Sequence, residues 1–142
     1  MHDYQHILVA TDLHNDALPV VREAISLAQK YGAKLSLISV VPSVPYYLAS
    51  GVSSISDIED QLENETRKRL DKIKQDLGIE ADFYLQHGSA KLEIVRLAEK
   101  LGVDLIVIGS HGHRGVQRLL GSTSSGVLHL AHCNVLVVRS KT

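Results

Sequence analysis

Residues 105–112 read Leu105-Ile106-Val107-Ile108-Gly109-Ser110-His111-Gly112, an unbroken aliphatic run leading into a glycine-containing loop. A run that is continuous rather than alternating predicts a strand with both faces covered, as in parallel sheets packed between helices. Ile7-Leu8-Val9-Ala10 and Val135-Leu136-Val137-Val138 share that character. Leu35 to Val41 reads as another strand, and Ala81 to Gln86 as a more polar, partly alternating one that suits a sheet edge. Amphipathic stretches lie between them. Val21, Ala24, Ile25, Ala28 and Tyr31 recur at helical spacing, with Pro19 near the first turn and Gly32 as a C-terminal cap. A second helix is expected over about Ile58 to Leu77, with Ile58, Leu62, Ile73 and Leu77 facing inward and a charged, solvated middle. Ser89 is placed to cap a third helix whose core face carries Ile94, Leu97, Ala98 and Leu101. A fourth runs from about Ser122 to His132.

The resulting βαβαβαβαβ pattern is α/β, a five-stranded parallel sheet with helices on both faces. Right-handed crossovers restrict the strand orders. Placing the continuously apolar first and fourth strands at the centre, with the polar third at one edge, gives order 3-2-1-4-5. This is a Rossmann-like arrangement, expected as one domain over residues 1–142. Pro42 to Asp57, with two prolines, Gly51 and five serines, reads as a loop long enough to cover a site.

Composition narrows the function. Fifteen Lys and Arg against sixteen Asp and Glu give a net charge of −1, which argues against nucleic acid held by bulk positive charge. Apolar residues at 44% and charged ones at 22% suit a globular chain, not a disordered one. The one cysteine, Cys133, excludes an intrachain disulfide and is expected to be structural. Met1 to His6 lacks the cationic and apolar regions of a signal peptide, and no run reaches membrane-spanning length. The expectation is therefore a cytoplasmic location with no membrane partner.

In such a sheet, ligands bind beyond the carboxyl ends of strands where the strand order reverses. That point lies between the first and fourth strands. Ala10-Thr11-Asp12 ends one of them. Beyond the other stands Gly109-Ser110-His111-Gly112-His113-Arg114-Gly115, and after five more residues Gly121-Ser122-Thr123-Ser124-Ser125-Gly126. Gly121 and the hydroxyls after it open a helix, where free N–H groups and the helix dipole favour an anion. After Asp104 no acidic residue remains, whereas Arg114, Arg118, Arg139 and Lys141 do. Positive potential is thus gathered beside the turn suited to phosphate. Neither G-x-x-x-x-G-K-[ST] nor a strand followed by G-x-G-x-x-G is present, which argues against P-loop and dinucleotide-binding enzymes. A receiver domain would need Asp at the end of the third strand, where Leu85-Gln86-His87 stands.

The opening Ile7 to Asp12, the segment Asp104 to Gly112 and the ending Val135 to Arg139 resemble the universal stress protein family over nearly the whole chain. The nucleotide-binding branch of that family carries G-x2-G-x9-G-[ST]. Gly109, Gly112 and Gly121-Ser122 match it, with a spacer of eight residues rather than nine. The resemblance implies an adenine nucleotide, ATP or AMP, held between the first and fourth strands. Asp12, with the backbone of Ala10 and Thr11, would lie near the adenosine or a phosphate-bound Mg ion. The backbone of Val40 would meet the adenine edge. Gly109, His111, Gly112, Gly121, Ser122 and Thr123 would surround ribose and phosphates, with Ser110 and Arg114 in the same loop. The shorter spacer keeps a scaffold that binds no nucleotide as an alternative.

Turnover is not expected beyond slow ATP hydrolysis, because the phosphate segment holds no carboxylate and His111 and His113 have no visible orienting partner. Nor do His111, His113, His129 and His132 supply the convergent ligand set that zinc requires. The fifth strand, Val135 to Val138, would lie at an edge yet is uniformly apolar, which invites pairing with a second copy. The resemblance implies the same homodimer, since many universal stress proteins dimerise through their last strand.

Overall fold

The computed structural model describes residues 3–11, 18–42, 55–110 and 121–139. In chain order the elements are β1 (His6–Ala10), α1 (Leu18–Tyr31), β2 (Lys34–Val41), α2 (Ile55–Leu77), β3 (Asp82–His87), α3 (Ala90–Leu101), β4 (Leu105–Gly109), α4 (Ser122–Leu130) and β5 (Asn134–Val138). The five strands form one parallel sheet in the expected order, β3-β2-β1-β4-β5. The central strands are set in register by Ile7 against Leu35 on one side and Leu105 on the other.

Alternation along each strand sorts the core into two layers. Ile7, Val9, Leu35, Leu37, Leu105 and Val107 face α1 and α2, meeting Val21, Ala24, Leu70 and Ile73. Leu8, Ala10, Ile38, Ile106 and Ile108 face α3 and α4, meeting Ile94, Leu97, Ala98 and Val127. Both faces of β1 and β4 are therefore covered, which is why these strands read as unbroken apolar runs.

Several boundaries differ from expectation. α2 starts at Ile55 rather than Ile58, taking in the last residues of the expected loop, with Asp57 in its first turn where an acid favours the helix dipole. Residues 43–54 of that loop lie outside the described residues. The buried contacts of α2 come from Leu70 and Ile73, whereas Ile58 and Leu62 are only half-buried. α4 stops at Leu130, not His132, because Ala131 turns to extended backbone to lead into β5. Ser89 makes no side-chain cap; its carbonyl accepts from the Glu93 N–H at 2.9 Å. Gly32 ends α1 at φ +65°, as expected for a left-handed cap. Among the described residues, no helix is long and apolar enough to cross a membrane.

Candidate functional site

The carboxyl ends of β1 and β4 lie side by side, and both strands lead directly into the residues singled out by sequence. Ala10 and Thr11 are buried, and the Thr11 N–H donates to the Ile38 carbonyl at 3.1 Å. On β2, the Ile38 carbonyl thus faces β1, whereas that of Val41 faces β3 and accepts from Gly88 at 3.0 Å. Strand alternation turns the backbone groups of Val40 to the Ile38 side, where β1 comes to its end. Val40 is thereby a backbone element at the crevice. Its side chain is half-buried among ordinary aliphatic neighbours and carries no signal of that role.

The other wall is built by β4 and α4. Ser110, 8% exposed, continues the ladder by donating its N–H to the Val138 carbonyl at 2.9 Å. Its own carbonyl accepts from the Gly121 N–H at 2.7 Å, so the chain that leaves at residue 110 returns to the same point at 121. Ser124, 2% exposed, fastens the helix from inside, its hydroxyl donating to the Gly109 carbonyl. In the sequence Ser124 stands out only as one of a run of hydroxyls. Its role as the bolt between α4 and β4 depends on which side of the helix faces the sheet.

Gly121 is the N-cap of α4, in extended backbone at φ −63° and ψ 161°, and no side chain caps the helix there. Its carbonyl accepts from the Ser125 N–H at 2.9 Å, the first intrahelical bond. The N–H groups of Ser122, Thr123 and Ser124 precede that bond, so α4 offers them no carbonyl. Ser122 is exposed and Thr123 half-buried, so their N–H groups and hydroxyls form a donor set without negative charge. Such a set fits an anion and offers a bare cation no charged ligand. Ala10, Thr11, Val40, Gly109, Ser110, Gly121, Ser122 and Thr123 are thus gathered at one end of the sheet. Asp12, His111, Gly112 and Arg114 lie outside the described residues.

Residues 3–139 match the Universal stress protein family. The chain belongs to that family. The curated relative universal stress protein A homolog 2 of Coxiella burnetii is 44% identical, over 99% of this chain and 99% of its own length. Among solved structures, the universal stress protein UspA from Lactobacillus plantarum superposes with a TM-score of 0.82 at 26% identity, covering 98% of this chain and 100% of that one. A universal stress protein solved in complex with cAMP superposes at 0.64 with 25% identity, covering 96% and 98%.

The remaining candidate groups of this universal stress protein sit elsewhere. His132 Nδ1 lies 2.7 Å from Glu99 Oε1, at the far end of the sheet. Cys133 is half-buried before β5, and burial pushes its thiol above the usual range, which keeps it in the unreactive protonated form. Among the described residues no group of three or more His, Cys, Asp or Glu could hold a metal ion.

Proposed function

We propose that the chain binds one adenine nucleotide in the crevice between β1 and β4, acting as a binding module rather than through turnover. The reading is carried by the closure of Ser110 onto Gly121, which sets the uncapped first turn of α4 beside the carboxyl ends of the central strands. Phosphate is received by the N–H groups and hydroxyls of Ser122 and Thr123, and Gly109, Ser110 and Gly121 leave room for its close approach. The loop residues His111, Gly112 and Arg114 complete that side. Adenosine lies toward β2, with Ala10, Thr11 and the backbone of Val40 around it and Asp12 near the ribose or a phosphate-bound Mg. The relative solved with cAMP supports an adenine nucleotide as the ligand class. No carboxylate follows Asp104, so the phosphate segment has no acid to activate water, which favours retention of the nucleotide over hydrolysis.

Gly121→Asp separates binding from folding. Its extended backbone accepts any residue, and aspartate is a good N-cap, so the fold is retained. The new carboxylate meets the phosphate directly, and ATP and AMP affinity should fall on the order of a hundredfold by calorimetry. Equal binding by this variant and the wild type would refute the site.

The partner in this reading is a second copy, paired through β5. The Val138 carbonyl points to β4, so alternation turns the backbone groups of Val135 and Val137 to the outer edge. Val137→Pro removes an outward N–H that the single chain does not need. Light scattering should then report a monomer in place of a dimer, and an unchanged mass would exclude this interface.

A further inference from the structure

We propose that Lys91 is a further binding residue of this site, a cation delivered to the phosphate end of the nucleotide across the bare backbone of Gly126. The inference rests on the reading of the first turn of α4 as the phosphate end. α3 follows β3 and α4 follows β4; since the strands are parallel and both helices cover the same face, the helices run parallel, with their first turns at the same end of the sheet. Lys91 stands in the first turn of α3, and its stem lies flat against the middle of α4. A β-carbon on Gly126 would fall 2.5 Å from Lys91 Cδ, 3.0 Å from its Cβ and 3.2 Å from its Cγ. No side chain other than hydrogen fits there while the lysine keeps this course. This accounts for a glycine inside a helix, where it is otherwise unfavourable.

The direction of the stem follows from helix geometry. Side chains on a helix lean toward its own N-terminus, so the Lys91 stem leads toward the end of the sheet where α4 begins. Gly126 lies four residues, about 6 Å along α4, beyond Ser122. The two bonds past Cδ carry the ammonium up to about 2.5 Å back along α4, which leaves it within about one helical turn of Ser122, near enough for its charge to attract an anion seated on the Ser122 and Thr123 N–H groups. Lys91 is exposed, and among the described residues no carboxylate pairs with it. Its charge is therefore available to a ligand, and its effect should grow with the number of phosphates.

The test is a double-substitution cycle on the full chain, read as ATP affinity at low and moderate salt. Lys91→Met keeps the apolar stem and removes the charge; ATP binding should weaken about three- to tenfold, and its salt dependence should become shallower. Lys91→Arg should stay within about twofold of wild type. Gly126→Ala forces the stem aside and should weaken ATP alone, but add nothing in the Lys91→Met background. Wild-type affinity in Lys91→Met overturns the proposal and leaves the nucleotide site standing. A loss with unchanged salt dependence, or an alanine effect that persists without the lysine, also overturns it. Failure of the wild type to bind ATP overturns this proposal together with the site it rests on.

Discussion

The two ends of the sheet are finished in opposite ways. At the amino ends of the strands, polar groups from distant parts of the chain close on one another. The Asp104 carboxylate accepts the Gln5 and His6 N–H groups, each at 3.0 Å, and its own N–H donates to the His6 carbonyl at 3.1 Å. His6 Nε2 hydrogen-bonds Ser36 Oγ at 2.7 Å, with Ser36 fully buried. Lys34 pairs with Asp82 at 3.0 Å, and Tyr4 packs edge-on against Tyr31. At the carboxyl ends of β1 and β4 the side chains are small, the closing bonds are backbone bonds through Ser110 and Gly121, and α4 begins without a cap. One end uses its polar groups to hold strands together. The other leaves the first N–H groups of α4 without an intrahelical carbonyl.

If the ends are so divided, substitutions should separate stability from ligand affinity. Ile106 lies in the apolar layer common to both ends and is fully buried. Ile106→Ala should cost about 2–5 kcal/mol of unfolding free energy in denaturant titration, and loss of affinity should follow only from loss of fold. Asp104→Ala strands two backbone N–H groups at the closed end and should cost about 1–3 kcal/mol. ATP affinity measured on its folded fraction should match wild type, and a drop there would break the proposed division.

The smallest effect is one of pH. Burial, followed by the Lys34 charge, holds the His6 imidazole below its usual pKa of 6.5. A histidine depressed in the folded state binds its proton more readily when unfolded. Its contribution to stability is therefore complete at neutral pH and is lost as pH falls below about 6.5. Melting midpoints from pH 7.5 to 5 should decline less steeply in His6→Gln than in wild type. Identical slopes would show that His6 does not sense the closed end.

The strand order was legible because both faces of β1 and β4 are buried, and continuous aliphatic runs report that directly. The ends of α2 and α4 were less so, since helix limits depend on where the chain must turn toward the next strand. The glycines and hydroxyls of Gly109, Ser110 and Gly121 to Thr123 stand out by residue type alone, and the fold gathers them at one end of the sheet. Val40 does not, since the part proposed for it falls to backbone whose direction depends on pairing parity. The role of Asp104 was equally hidden. It read as the last acid in the chain, while its partners Gln5 and His6 stand 99 and 98 residues away. Contacts at that separation leave no local pattern.

The division of the sheet is tested most directly by titrating isotopically labelled chain with ATP and following each backbone amide by nuclear magnetic resonance. Saturable shifts are expected at Thr11, Val40, Ser110, Gly121, Ser122 and Thr123, with Gln5, His6, Ser36 and Asp104 unmoved. An unaltered spectrum at millimolar ATP, or shifts centred on the Asp104 end, would contradict it.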